Sequence, residues 1–128
     1  MRALLDTHSF LWAAADEPRL SQEARRVILD LSTDLLFSAV TAWEIAIKFQ
    51  MGKLRLPSEP GAFIREQMSL LRLTELPVGI DHAVGVSELP MHHKDPFDRL
   101  LVAQAVVERV PIITGDPQIG RYGVQVIW

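Results

Sequence analysis

Three short apolar runs, each closing on a polar residue, set the limits on how this chain folds. Arg2 to Asp6 is the first, Leu35-Leu36-Phe37-Ser38 the second and Pro111-Ile112-Ile113-Thr114 the third. Runs this short and this apolar read as strands buried on both faces. The segments between them have helical spacing. Phe10, Leu11 and Trp12 lead one helix, which Glu17-Pro18 ends, and Ser21 opens another through Ala24, Val27, Ile28 and Leu31. Thr41-Ala42-Trp43-Glu44 matches a capping box opening a helix that Gly52 stops, and Glu59-Pro60 precedes a helix with Phe63, Ile64, Met68 and Leu71 on its apolar side. Leu73 to Pro77 alternates like an edge strand, Asp81 to Leu89 is helical by pattern, and Val124 to Ile127 supplies a last strand. Short strands alternating with helices give an α/β three-layer sandwich around a central, mostly parallel sheet of about five strands, with 1–128 as one domain.

The helix after the 81–89 segment holds the most informative residues. Asp95 is a good N-cap and Pro96 fills the first helical position. Phe97, Leu100, Leu101, Val102, Ala103, Ala105, Val106 and Val107 then make the helix apolar almost all round, so burial on more than one side is expected. Asp98 lies in its first turn, with Val102 and Ala105 above it on the same face. A carboxylate there needs hydrogen bonds, a positive partner or a metal. The plain alternative is a capping box in which Asp98 reaches back to the Asp95 amide.

Three more acids fall at matching junctions. Asp6 ends the first strand, Glu44 opens the helix after the second, and Asp116 follows the third. The carboxyl ends of strands in an open parallel sheet share one rim, where ligands bind. Each acid also has a local explanation: Asp6 as a cap, Asp116-Pro117 as a turn or an N-cap, Glu44 as half of the Thr41 box or as partner of Lys48 one turn on. Four carboxylates on one rim nevertheless repel one another, and a hard divalent cation such as Mg²⁺ or Mn²⁺ relieves that repulsion. Such an ion turns water into a nucleophile and clamps phosphodiester oxygens.

The succession Leu4-Leu5-Asp6-Thr7-His8, Ser38-Ala39-Val40-Thr41-Ala42-Trp43-Glu44-Ile45, Asp95-Pro96-Phe97-Asp98-Arg99-Leu100-Leu101-Val102-Ala103-Gln104-Ala105 and Ile113-Thr114-Gly115-Asp116 resembles the PIN domain, and more narrowly the VapC toxins of bacterial type II toxin–antitoxin pairs. The resemblance runs from Leu4 to the C-terminal strand. It implies a metal-dependent endoribonuclease in which Asp6, Glu44, Asp98 and Asp116 hold Mg²⁺ or Mn²⁺ and an activated water attacks RNA. It also implies that Thr7 and Thr114 support the acids or a metal-bound water, that the chain forms a homodimer, and that a VapB-type antitoxin holds it inactive.

The remaining polar and aromatic residues carry less. His92-His93 lacks a third ligand at zinc spacing, which leaves His93 as a helper near the substrate phosphate, and His8 reads as peripheral. Arg99 is open to two roles, a contact to phosphate or an acid, and a surface ion pair. Lys48, Lys53 and Arg55 form a possible basic path for RNA or plain surface charge. Trp12 and Trp43 suit core or interface packing better than base stacking, and Trp128 packs on the last sheet face or on a second copy.

Bulk properties narrow the class. The net charge of −3 does not advertise a polyanion partner, so local patches or metal ions would have to overcome it. There is no cysteine, hence no thiolate metal site and no disulfide framework. No apolar run is long enough to span a bilayer, and the first residues lack a signal peptide's apolar region, which points to the cytoplasm and no membrane. A receiver-like phosphoacceptor module would need a second acid beside Asp6 and a lysine after a late strand, and neither is present. A phosphatase of the Asp-x-Asp type is disfavoured by His8 two residues after Asp6. A catalytically inactive binding module of the same fold is opposed by the intact set of acids.

Overall fold

The computed structural model describes residues 1–128. Five strands form one sheet: β1 (Arg2–Leu5), β2 (Asp34–Ser38), β3 (Leu73–Leu76), β4 (Ile112–Ile113) and β5 (Val126–Ile127). Their spatial order is β3-β2-β1-β4-β5, and every pairing is parallel. Seven helices connect and flank them: α1 (Thr7–Ala14), α2 (Gln22–Leu29), α3 (Ala39–Gln50), α4 (Pro60–Leu70), α5 (Ile80–Gly85), α6 (Pro96–Glu108) and α7 (Pro117–Gly120).

The alternation of the strands divides the interior into two cores. Ala3, Leu5, Leu35, Phe37, Ile113 and Ile127 face one side, where they meet Phe10, Ala24, Val27, Ile45 and Phe63 from α1 to α4. Leu4, Leu36, Leu76 and Ile112 face the other, where they meet Leu101, Val102 and Ala105 of α6 and Ile119 of α7. The three-layer sandwich expected from the sequence is the fold that forms. β3 is an edge strand, and Pro77 directly after it cannot donate a further ladder bond.

Several local expectations change. α3 begins at Ala39, two residues before Thr41, because the Ser38 side chain caps it by accepting from the Val40 amide at 3.0 Å. The Thr41–Glu44 signature therefore lies inside the helix and caps nothing. The helical pattern over 81–89 is interrupted: α5 stops at Gly85 and a single 3₁₀ turn spans Val86–Glu88. α6 is buried through Leu101 to Ala105, but Val106 and Val107 emerge into solvent, 53% and 41% exposed, so its far end is covered on one side only. α6 leaves a left-handed residue, Arg109, at its end, and this lets the Val110 amide reach the Ala105 carbonyl at 3.1 Å. Met51 caps the end of α3 and Gly52 follows in the left-handed region (φ 73°), as a stop signal requires. No helix is long and apolar enough to cross a membrane.

The strand order decides where a ligand can sit. From β1 the sheet grows one way through β2 and β3, and the other way through β4 and β5. The crevice at the carboxyl ends of β1 and β4 is thus the topological switch point, where open α/β sheets bind their ligands.

Candidate active site

Asp6 follows β1 directly at this switch point and is 4% exposed. Its Oδ1 accepts from the Ser9 amide at 2.8 Å, and its Oδ2 accepts from the Thr114 hydroxyl at 2.5 Å. It is at once the N-cap of α1 and a member of the rim. Burial pushes its carboxyl above the usual range, against the pull of the Thr114 and Ser9 hydrogen bonds. Ser9 is fixed in turn, donating its hydroxyl to the Ile113 carbonyl at 2.8 Å.

Thr114 joins the two strands' acids. While its hydroxyl donates to Asp6, the same oxygen accepts from the Asp116 amide at 3.0 Å. Asp116 caps α7 by accepting from the Gln118 amide at 2.8 Å, which leaves its carboxylate half-buried beside the crevice.

Glu44 comes from the second turn of α3 and is 3% exposed. Its Oε1 accepts from the Thr7 hydroxyl at 2.7 Å, and its Oε2 is ion-paired with Lys48 on the same helix. The Lys48 pair expected from the spacing forms, and the capping role does not. Thr7 also lies 3.4 Å from the Thr41 hydroxyl, so both threonines pack around Glu44. Thr7 and Thr114 each support one acid.

Asp98 stands in the first turn of α6. Asp95 supplies the cap, its Oδ1 accepting from the amides of Phe97 at 2.9 Å and Asp98 at 3.1 Å, so the Asp98 carboxylate is free of capping duty. The one polar side chain hydrogen-bonded to that carboxylate is His93, with Nε2 at 3.3 Å from Oδ2. Because α6 precedes β4 in a parallel sheet, its N-terminus lies at the carboxyl rim, as the sequence implied. Burial first, then the charge of Asp95, then those of Glu44 and Asp116, push the Asp98 carboxyl up to about 6, against the His93 hydrogen bond. That influence of Glu44 and Asp116 on Asp98 gathers acids from α3, α6 and the β4–α7 junction into one field.

The acids do not form a closed cage. No three His, Asp or Glu side chains stand close enough to enclose a metal ion by themselves. The donor set is nonetheless all oxygen, and Mg²⁺ uses one or two carboxylates and keeps several waters. Asp6 and Asp98, each destabilised as an anion by burial, fit an open, water-rich ion of that kind.

Other expectations resolve differently. Arg99 is neither a surface ion pair nor aimed at the acids. It is 7% exposed and donates to the carbonyls of Pro90 at 2.8 Å and Val86 at 3.2 Å and to the Tyr122 hydroxyl at 3.1 Å. It pins the 86–90 segment to α6. His93 faces Asp98 and Tyr122, and His92 packs edge-on against the Tyr122 ring at 4.8 Å. Lys48 and Lys53 share a hollow of about 290 Å³ with Thr7 and His8 beside Glu44, whereas Arg55 is not part of its wall. Trp43 is 56% exposed, its ring edge-on to Phe97, and is not core. Trp12 packs half-buried against the first core, and Trp128 lies over Gly115. A second hollow, about 220 Å³, is lined by Asp6, His8, Trp12, Gly115 and Asp116. Tyr122 carried no signal in the sequence, and Gln104 stood in the Asp95–Ala105 motif without a role of its own. Gln104 is fully buried, bonded to Ser38 at 2.5 Å and to the Pro77 carbonyl at 3.2 Å, and so braces the end of β2 where α3 begins.

A sheet of this order with acids at its switch point defines an acidic-site α/β domain, and comparison with known proteins identifies the family. The PIN domain family matches residues 3–125, and the chain belongs to that family. Ribonuclease VapC16 of Mycobacterium tuberculosis is 36% identical over 70 residues, covering 52% of this chain and 48% of that protein, so the match spans about half the length of that relative. Among solved structures, VapBC2 from Rickettsia felis, bound to a DNA fragment from its promoter, superposes with a TM-score of 0.74 at 15% identity, over 98% of this chain and 97% of that one. VapBC-1 from nontypeable Haemophilus influenzae gives 0.67 at 19% identity, over 98% and 96%. At these identities the structural likeness establishes the shared fold.

Proposed function

We propose that this chain is a metal-dependent endoribonuclease acting as the toxin of a toxin–antitoxin pair, with RNA as substrate and a VapB-type antitoxin and a second copy of itself as partners. One observation supports the chemistry: at the carboxyl rim of a PIN fold whose switch point Asp6 occupies, burial and then the charges of Asp95, Glu44 and Asp116 raise the Asp98 carboxyl. The likeness to a protein named as a VapC ribonuclease, and to structures titled as VapBC, supports the toxin role.

A bound Mg²⁺ or Mn²⁺ would supply a water of lowered pKa and charge neutralisation at the phosphodiester. Asp6 and Asp98 would hold the ion, with Asp116 and Glu44 flanking it. Thr114 keeps Asp6 turned into the crevice, and Thr7 does the same for Glu44. Lys53, in the hollow beside Glu44, would offer positive charge to the RNA backbone that the net charge of the chain lacks, while Lys48 is ion-paired with Glu44. No serine or cysteine is placed as a covalent nucleophile.

A receiver-like module is opposed by topology as well as by residues, since that fold has strand order 2-1-3-4-5 and this sheet has 3-2-1-4-5. The test is RNA cleavage by the purified full chain in Mn²⁺. Asp98→Asn and Glu44→Gln are each expected to lower the rate by at least about 100-fold with an unchanged circular dichroism spectrum, and EDTA to stop the wild type. Cleavage that persists in EDTA, or at full rate in Asp98→Asn, would overturn the proposal.

A further inference from the structure

Tyr122 is the chain's one tyrosine, and it belongs to none of the acid-bearing elements. It lies just beyond α7, in the segment that Asp116 opens. Three side chains surround its ring: His92 edge-on at 4.8 Å, His93 at 5.4 Å, and the Arg99 guanidinium 5.8 Å from the ring centre. Its hydroxyl lies 2.7 Å from His93 Nδ1 and 3.1 Å from Arg99 Nη1. His93 Nε2 in turn reaches Asp98 Oδ2 at 3.3 Å.

The chemistry of each group fixes the direction of this chain. A guanidinium only donates, so the Tyr122 oxygen accepts from Arg99. An ionised carboxylate only accepts, so His93 carries its proton on Nε2. A neutral imidazole then has Nδ1 as acceptor, and the Tyr122 hydroxyl proton is the one donor beside it. Every donor meets an acceptor, in the order Arg99 to Tyr122 to His93 to Asp98.

We infer that His93 and Tyr122 are positioning residues for Asp98, fixing its carboxylate for a divalent ion and tying α6 to the segment that carries Asp116. Arg99 anchors the far end, itself locked by the Pro90 and Val86 carbonyls. The relay therefore spans the two acid-bearing segments on either side of β4, and it gives the His92-His93 pair a purpose other than zinc. Hydrogen-bond partners behind a ligating carboxylate orient it, and removing them costs about 10–100-fold in metal affinity. The inference rests on Asp98 being an ion-holding acid.

The test is titration of the full chain with Mn²⁺, free ion being read by electron paramagnetic resonance. Wild type is compared with Asp98→Asn, Tyr122→Phe, His93→Ala and His93→Gln. Tyr122→Phe keeps the ring and is expected to weaken Mn²⁺ about tenfold. His93→Ala should lose about 10–100-fold, and His93→Gln, which keeps a donor near the Nε2 position, should lose less. Nitrogen shifts of His93 in the metal-free chain should show a bare Nδ1 and a protonated Nε2. If wild type binds Mn²⁺ and Asp98→Asn does not, yet the Tyr122 and His93 variants bind like wild type, the inference fails while the site stands. A His93 proton on Nδ1 would also overturn it. If wild type takes up no Mn²⁺, or Asp98→Asn binds undiminished, the site itself is wrong and the inference falls with it.

Discussion

Replacing Asp98 with asparagine should stabilise the metal-free protein at neutral pH, although it removes a residue proposed to be essential for activity. The Asp98 carboxyl is raised from its ordinary 3.8 to about 6 by burial and by the charges of Asp95, Glu44 and Asp116. The folded chain therefore holds that proton more tightly than the unfolded chain does. The associated stability is fully present below about pH 4 and is lost as pH rises through about 6. At about 1.4 kcal/mol for each tenfold change in proton affinity, ionised Asp98 costs the fold at most about 3 kcal/mol at pH 7.5. The group is 19% exposed, so solvent screening removes only part of this. Asparagine resembles the protonated acid and still offers an oxygen to His93. Urea unfolding in EDTA should thus find the two proteins similar near pH 4 and Asp98→Asn more stable by about 1–3 kcal/mol at pH 7.5. Mn²⁺ at 100 times its dissociation constant should then stabilise wild type by about 2.7 kcal/mol and leave the variant behind. A variant less stable than wild type at pH 7.5 without metal, or a gap that does not widen with pH, would refute the electrostatic reasoning.

Two other perturbations probe the frame around the site. Arg99→Met strips four hydrogen bonds from a buried group, to the carbonyls of Pro90, Val86 and Leu89 and to the Tyr122 hydroxyl, and takes the side-chain donor from the Pro90 carbonyl; a loss of about 3 kcal/mol or more is expected in denaturant unfolding. Gly115→Ala would put a Cβ 2.6 Å from Cε2 of Trp128, so the indole must move; a cost of about 1–3 kcal/mol and a red-shifted tryptophan emission are expected.

The parts of the molecule that follow local rules were legible from the chain. Asp95-Pro96 and Ser21 read as helix starts because cap chemistry is written in two or three adjacent residues. The apolar runs read as central strands because nothing but burial on both faces tolerates them, and the parallel sheet then brought Asp6, Glu44, Asp98 and Asp116 to one rim. What failed depended on contacts distant in sequence. Thr41–Glu44 reads as a capping box because the same residue types one turn inside a helix are indistinguishable by spacing, whereas Ser38 is the cap and Glu44 a buried acid bonded to Thr7 and Lys48. Arg99 reads equally as a contact to phosphate or an acid and as a surface ion pair, and neither forms, because nothing local shows the 86–90 segment folding back over α6 to present its carbonyls. Tyr122 stands 24 positions from Asp98, and only the folded β4–α7 segment brings it to His93.

The most direct measurement is crystallographic: crystals of the full chain grown with Mn²⁺, with anomalous scattering recorded at the manganese edge. An anomalous peak in the crevice between Asp6 and Asp98, with Glu44 and Asp116 at its margin and the peak lost in Asp98→Asn, is the expected result. Manganese that binds elsewhere, or that occupies the crevice equally well in Asp98→Asn, would contradict the assignment of these acids as the ion's holders.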